Sequence, residues 1–192
     1  MEDWQIPLMS GMADWVTESG GDILEIGFGR GVSAQLIQER GVRSHTIVEV
    51  NPHSIQQHFH PWRQRHASKD IRLVTGLWQD TLDQLKTYDG IFFHAFPMNE
   101  QEFMQYVAGS ATFAEHFFPV AAKLLRPGGV FTYLTTEIDS LARRHQRSLF
   151  KHFEEIRMKV QTLAVPPDTK DAWWSNSMVL LGATKSRAEN ES

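Results

Sequence analysis

Apolar residues occur in this chain both as short continuous runs and as positions spaced three and four apart. The short runs predict strands and the spaced positions predict helices. The predicted strands are 23–26, 44–50, 71–75, 88–93, 130–135, 156–165 and 178–184. The predicted helices are 4–19, 32–40, 52–66, one ending at Leu125 and 138–153, with 98–109 as a loop or short helix. Strands that alternate with helices indicate an α/β fold with a mostly parallel sheet.

A glycine-rich turn lies between the first predicted strand and the helix after it. The spacing is E-x-G-x-G-x-G, from Glu25 through Gly27 and Gly29 to Gly31. Glycines let a backbone approach a ligand closely, and the next helix begins with unpaired amides. A P-loop would need Gly-Lys-Ser/Thr here, and a dinucleotide fold would need Gly or Ala at Val32. At this point a turn that binds no ligand also stays open.

Three further loops fall at the same edge of the predicted sheet. Glu49 ends the second strand, 18 residues beyond Gly31, where a carboxylate can accept hydrogen bonds from the ribose hydroxyls of a nucleoside. Trp78 and Gln79 follow the third strand. Trp78 could flank an adenine ring or belong to the core, and Gln79 could hydrogen-bond the exocyclic amine of that ring. His94 follows the fourth strand, which makes it the best acid or base candidate by position.

Composition narrows the choice of partner. The 192 residues suit one α/β domain, predicted as 1–185 with a flexible tail at 186–192. The formal net charge is −4 and no run of Lys or Arg stands out, so nucleic acid is not the expected partner. The chain has no cysteine, the histidines of helix 52–66 do not converge, and no metal site is predicted. No segment has the length of a membrane helix, so a cytoplasmic location is expected; the oligomeric state stays open, a homodimer included.

The ordered segments ILEIGFG, TIVEVN, YDGIFFHAFP and LLRPGGVFTY resemble class I S-adenosylmethionine (SAM) methyltransferases. With WQIPLM, GLW and LAVPP added, the chain is similar to guanidinoacetate N-methyltransferase and its fungal protein-arginine relatives over roughly residues 4–185. The resemblance implies a single Rossmann-like domain with strand order 3-2-1-4-5-7-6, strand seven antiparallel, and residues 1–19 as a helix over the site. It also implies SAM as cofactor, held by Met9, Gly27, Phe28, Gly29, Gly31, Glu49, Val50, Gly76, Leu77, Trp78 and Gln79.

The acceptor side departs from that family. The predicted acceptor-binding residues are Trp4, Gln5, His94, Ala95, Phe96 and Trp173. Guanidinoacetate enzymes carry WETPYM and YDTYPL, whose two carboxylates hold the guanidinium, where this chain has Gln5 and His94. A guanidinium stays charged and is held best by carboxylates. We therefore expect a neutral or anionic acceptor, in a site that is more open because the family's extra N-terminal segment is missing here.

The predicted function is SAM-dependent methylation of an oxygen, nitrogen or carboxylate of a small metabolite. As a hypothesis, His94 orients or deprotonates that acceptor. Three alternatives stay open: methylation of a peptide or protein end, a subunit that binds SAM without catalysis, and an NAD-dependent dehydrogenase.

Overall fold

A seven-stranded sheet organises the protein, with strand order β3-β2-β1-β4-β5-β7-β6. The computed structural model describes residues 3–170 and 174–187. The strands are β1 (Asp22–Ile26), β2 (Ser44–Glu49), β3 (Ile71–Thr75), β4 (Tyr88–Phe93), β5 (Leu125–Tyr133), β6 (Glu155–Thr162) and β7 (Ser177–Thr184). Strands β1 to β5 pair in parallel, and β7 runs antiparallel to β5 and β6. This confirms the fold class and strand order that the resemblance implied.

The central strands end level with one another. Ile26 of β1 pairs with Val48 of β2 on one side and with Phe93 of β4 on the other. Strands β1 and β2 are buried along their whole length, as expected for central strands covered by helices on both faces. The loops after these strands therefore meet at one edge of the sheet, where ligands of such folds bind.

The described part of the chain forms seven α-helices. They are α1 (Ile6–Val16), α2 (Val32–Glu39), α3 (Pro52–Ser54), α4 (His60–Arg65), α5 (Glu100–Tyr106), α6 (Phe118–Leu124) and α7 (Arg143–Leu149). A π-helical turn at Ile55–Phe59 joins α3 to α4, so the predicted helix 52–66 is continuous but not uniformly α. Helix α5 matches the short helix predicted within 98–109.

The predicted helix 138–153 is wrong in its first turns, since α7 begins only at Arg143. The Glu137 carboxylate accepts a hydrogen bond from the Ala142 amide at 2.7 Å, and Leu141 is buried. Together these contacts hold 138–142 as a loop. Because Leu141 is apolar and fits the helical spacing although it lies in the loop, the sequence predicted a longer helix.

The stretch before β5 also differs from prediction. The helix predicted up to Leu125 is a 3-10 turn at Phe113–Phe117 followed by α6, and β5 starts at Leu125 rather than Val130. The RPGG stretch lies inside the strand, and the pairing of β4 with β5 shifts between Tyr88 and Gly90. Gly128, at φ 77°, allows this irregularity.

Each face of the sheet has its own core. One face buries an aromatic cluster that includes Phe117, Phe118 and Phe131. The opposite face is covered by α1, whose Met12 belongs to a second, separate cluster of buried apolar residues. A Cβ at Gly90 of β4 would overlap the Val16 carbonyl, so this glycine allows α1 to lie close to the sheet.

An ion cluster joins strands at the opposite, amino edge of the sheet. Asp22 accepts from Arg43 and from Arg126, with both Nη2 atoms 2.8 Å from Oδ2. Arg126 also donates to Asp89 at 2.6 Å. The Arg43 hydrogen bond is the main reason that the pKa of Asp22 lies well below its usual value, against the opposing effect of burial. Asp22 therefore stabilises the fold above the usual carboxyl pKa, and that contribution is lost at lower pH.

No helix among residues 3–170 and 174–187 combines the length and apolar character required to cross a bilayer. The single-domain boundary at residue 185 stays a prediction. Most of the predicted tail, 188–192, lies outside the described residues.

Candidate active site

The glycine turn after β1 has a backbone that only glycine adopts readily. Gly27, Gly29 and Gly31 have φ of 90°, 56° and 78°. A Cβ at Gly27 would overlap the His94 carbonyl oxygen, so the turn and the loop after β4 touch at this residue. A Cβ at Gly29 would meet nothing within 4 Å, which leaves that backbone approachable.

Glu49 holds this turn in place. The Phe28 and Gly29 amides donate to its Oε2 at 2.8 and 3.0 Å, and the Asn51 amide donates to Oε1 at 2.8 Å. The side chain is 7% exposed. Because a carboxylate offers about four lone-pair positions, Glu49 keeps acceptor capacity toward the ribose hydroxyls predicted to lie there.

The loop after β3 continues the same edge. The Gly76 amide donates to the Glu49 carbonyl at 3.1 Å, and Trp78 packs edge-on against Phe117 with ring centroids 4.9 Å apart. The Gln79 Oε1 atom is buried and accepts no hydrogen bond from any described residue. A buried acceptor without a donor is costly in a folded protein unless a ligand supplies one.

These features fit SAM. The unpaired Gln79 acceptor matches an exocyclic amine, Glu49 matches ribose hydroxyls, and the Gly27–Gly29 backbone offers room close to the main chain. Val50 and Leu77, both predicted cofactor contacts, are half-buried beside these residues.

Two predicted cofactor contacts have their side chains elsewhere. The Phe28 ring is buried against Phe59 and Trp62, at centroid distances of 5.3 and 5.4 Å. Met9 is fully buried in the core between α1 and the sheet. Only the backbone of Phe28, and not its side chain, is therefore placed to contact a ligand at the glycine turn. Sequence spacing alone does not separate a backbone contact from a side-chain contact.

A cavity of about 790 Å³ opens beside the glycine turn, at the ends of β4 and β5. Four of the predicted acceptor-binding residues line it: Gln5, His94, Ala95 and Phe96. Trp4 is not in the lining but packs edge-on against Trp174, which is, with centroids 4.7 Å apart. Trp173 lies outside the described residues.

The described lining of this cavity carries no carboxylate and no Lys or Arg. Its polar side chains are Gln5, His94, Ser110, Thr112, Thr135 and Thr136, among apolar and aromatic residues that include Phe93, Phe103, Phe113 and Met178. Gln5 is 7% exposed, so its amide is nearly enclosed. An acceptor in this cavity meets hydrogen-bonding groups but no compensating charge.

His94 sits where the two parts of the site meet. Its amide donates to the Ile26 carbonyl at 2.9 Å, and its ring makes no hydrogen bond with another described residue. Burial lowers the pKa of the imidazole to about 4, so the ring is neutral at pH 7. A group this far below neutral pH is a weak general base, which favours a hydrogen-bonding, orienting role for His94.

Helix α5 and the segment after it form the outer wall. Phe103 and Val107 of this region line the cavity. Tyr106 stacks on His116 with centroids 4.4 Å apart, and this contact fastens α5 to the 3-10 turn at Phe113–Phe117. Asn99 accepts from the Glu102 amide at 2.9 Å and caps α5.

Thr135 and Thr136 are site residues that we did not predict. They follow β5, the strand next to β4, so the rule that ligands lie beyond strand carboxyl ends would have pointed to them. The Thr135 hydroxyl donates to the Val179 carbonyl at 3.1 Å. Met178 lines the cavity from β7, and no sequence signal marks it because it also reads as core.

Known proteins resemble this chain in sequence. The sequence model of the guanidinoacetate N-methyltransferase family matches residues 1–174. Protein arginine N-methyltransferase 2 of Candida glabrata is 27% identical over 144 residues, covering 69% of this chain and 31% of that protein. Protein arginine N-methyltransferase 2 of Saccharomyces cerevisiae is 26% identical over 144 residues, covering 69% and 32%. The chain thus spans about a third of the length of these relatives.

Solved structures share the fold. The N-methyltransferase NodS from Bradyrhizobium japonicum has a TM-score of 0.64 at 15% identity, covering 97% of this chain and 99% of that one. The O-methyltransferase from Bacillus cereus in complex with SAH has a TM-score of 0.62 at 18% identity, covering 94% and 81%. At such identities the likeness concerns the fold alone.

Proposed function

Because this chain belongs to the guanidinoacetate N-methyltransferase family and is a class I SAM-dependent methyltransferase, we propose that it methylates an uncharged oxygen or nitrogen of a small acceptor whose reacting part is largely apolar. SAM is the cofactor. The acceptor lies in the cavity bounded by Gln5, His94 and Thr135.

The lack of charge in the described cavity lining is the observation that carries this proposal. A guanidinium keeps its proton throughout the physiological pH range. Buried against Gln5 and a neutral His94, it would lack a counter-charge, and breaking such a buried pair costs roughly 3–5 kcal/mol. A neutral acceptor avoids that cost.

When bound, SAM supplies an activated methyl group on a positively charged sulfur. The chain has to orient the acceptor, exclude water and leave room for an in-line approach, and orientation alone can supply on the order of 7–11 kcal/mol. Gln5 can hold a polar group of the acceptor by its amide. The His94 ring can accept a hydrogen bond from an O–H or N–H group of the acceptor. This hydrogen bond would direct the lone pair of that acceptor atom toward the cofactor.

A paired substitution tests the acceptor class. We expect the wild-type protein to leave guanidinoacetate and arginine peptides unmethylated in assays of SAH release. The variant Gln5→Glu/His94→Asp should gain activity on them, by at least about tenfold over background, because two carboxylates then match the guanidinium. The control Gln56→Glu/His60→Asp makes the same exchanges at exposed positions of the helix after β2.

Turnover of guanidino compounds by the wild-type protein at a rate equal to that of neutral acceptors would overturn the proposal. Binding of SAM by calorimetry, without SAH release on any acceptor of a broad screen, would favour a non-catalytic subunit.

A second candidate is a polypeptide acceptor. It is supported by relatives named protein arginine N-methyltransferase 2 and by the exposure of Phe96 and Met98 at the cavity mouth. A peptide could place one side chain in the cavity while its backbone stays outside. Labelled SAM, offered with peptide mixtures and with small metabolites in parallel, separates the two candidates.

A further inference from the structure

A second cavity, of about 730 Å³, lies behind the outer wall of the acceptor cavity. Four basic side chains line it, together with Glu115 and Ser148: Arg143, Arg144, Arg147 and Lys151. Residues 143–151 contain these four cations and no Asp or Glu, in a chain whose formal net charge is −4. The helical spacing of the cations brings them to one side of α7, because His145, Ser148 and Leu149 point into the protein.

Most of this charge has no counter-ion. Arg143, Arg147 and Lys151 are exposed and make no ion pair or hydrogen bond with another described residue. By contrast, Arg43 and Arg126 at the amino edge of the sheet are paired with Asp22. Like charges gathered in one concavity repel each other, so an anion bound there relieves a cost as well as adding contacts.

Among the described residues that line this cavity, Glu115 is the one carboxylate, and both of its oxygens already accept hydrogen bonds. Its Oε2 accepts from the Ala111 amide at 2.6 Å, and its Oε1 accepts from the Ser148 hydroxyl at 2.6 Å. Burial opposes ionisation, yet these hydrogen bonds and the nearby Arg144 lower the pKa of Glu115 overall. It is therefore charged, and the balance of the cavity is four positive groups against one negative.

The two cavities share a wall. Segment 110–114 lines the acceptor cavity, while Glu115, next in the chain, lines the basic one. Arg144 donates to the Gly109 carbonyl, between two residues that line the acceptor cavity. A ligand in the basic cavity would thus lie against Arg144 and Glu115, which are joined to the segment that shapes the acceptor cavity.

We propose that this basic cavity is a binding site for a phosphoryl-bearing anion. Arginine side chains bind phosphate through paired N–H donors, and a phosphoryl group concentrates enough charge in one place to engage several of them. A single carboxylate would leave most of the four cations unpaired. The group belongs either to the methyl acceptor, which rests on the proposed function, or to a separate phosphorylated molecule.

Inorganic pyrophosphate is the probe for the first test, by calorimetry at low ionic strength without SAM. We expect binding that weakens with added salt. The variant Arg143→Gln/Arg147→Gln/Lys151→Gln should weaken binding by roughly tenfold for each cation removed. The control Arg65→Gln/Lys69→Gln/Lys159→Gln, at exposed sites elsewhere, makes the same change in net charge and should bind as wild type.

An absence of pyrophosphate binding, or an equal loss in both triple variants, would overturn the proposal. Circular dichroism checks that each variant folds, and the single variant Arg147→Glu repeats the test with one change at an exposed side chain. None of these results depends on methyl transfer, so a failure here is distinct from a failure of the proposed function.

The second test separates the sources of the phosphoryl group. Pairs of acceptors with and without a phosphate ester are offered with labelled SAM. A preference for the phosphorylated member that disappears in the variant Arg143→Gln/Arg147→Gln/Lys151→Gln places the group on the acceptor. Pyrophosphate binding combined with equal turnover of both members supports the site as one for a separate ligand.

Discussion

The two halves of the candidate active site differ in polarity. At the ends of β1, β2 and β3, polar backbone and a carboxylate are tied together, with Glu49 accepting three amide hydrogen bonds. At the ends of β4 and β5, the described lining of the cavity has no charge and is mostly apolar. The first half holds polar groups in fixed positions, and the second is a cavity with few polar groups.

This difference indicates that the two halves can change independently of each other. The hydrogen bonds of Glu49 depend on backbone atoms of the glycine turn, so a change there disturbs the fold as well as the ligand. Gln5 and His94, by contrast, present their side chains to the cavity. Acceptor chemistry can therefore change without loss of the SAM half.

The largest effect is expected from a substitution at Gly27, where the two halves of the site touch. Gly27→Ala adds a Cβ that overlaps the His94 carbonyl, at φ 90° where a side chain is already strained. We expect SAM affinity to fall by more than about 100-fold, equivalent to some 3 kcal/mol, as measured by calorimetry. Gly41→Ala, at φ 72° with open space around it, is the control for backbone strain alone.

A weaker effect is expected from Glu49→Gln. The amide nitrogen that replaces one oxygen would face a backbone donor, which leaves a buried group unsatisfied at about 1–3 kcal/mol. Thermal denaturation should show this loss, and SAM affinity should fall by roughly tenfold. Glu39→Gln, on an exposed side chain of α2, should change neither quantity. An unchanged melting temperature in Glu49→Gln would contradict the role of Glu49 in holding the turn.

The smallest effect is expected in the pH dependence of stability that His94 contributes on the acceptor side. With a folded pKa of about 4, His94 stays neutral while an unfolded chain protonates near 6.5. The folded form is therefore favoured above pH 6.5 and loses stability as pH falls toward 4, by up to about 3 kcal/mol. His94→Gln should lack that part of the pH dependence in urea unfolding. An NMR titration of the His94 ring near 6.5 would show instead that the imidazole is solvated and basic.

The sequence was a good guide to the sheet and to the cofactor edge. Strand positions follow from continuous apolar runs, and the glycine spacing together with Glu49 marks where three loops converge. It was a poorer guide to the acceptor side. Thr135 lies close to His94 in space but 41 positions away in the chain, and Met178 joins from an antiparallel strand whose order came only from the resemblance.

Local context also overrode part of a helix prediction. The apolar spacing of 138–153 continues through Leu141, yet the Glu137 carboxylate holds the Ala142 amide and delays α7. The four basic residues of 143–151 are already close together in the sequence, and the helical turn places them along one cavity. At the start of α7 a side-chain contact therefore decided what the apolar periodicity could not.

The ion cluster at the amino edge of the sheet has a consequence for the order of folding. Asp22 and Arg126 are 104 residues apart in the chain. Asp22 also accepts a hydrogen bond from Arg43, which precedes β2, and the Asp22 amide donates to Asp89 on β4. Contacts across such separations require long loops to close first and are slow to form. The cluster can be complete only when β1, β2, β4 and β5 are side by side, so it fixes a sheet that other contacts have already assembled.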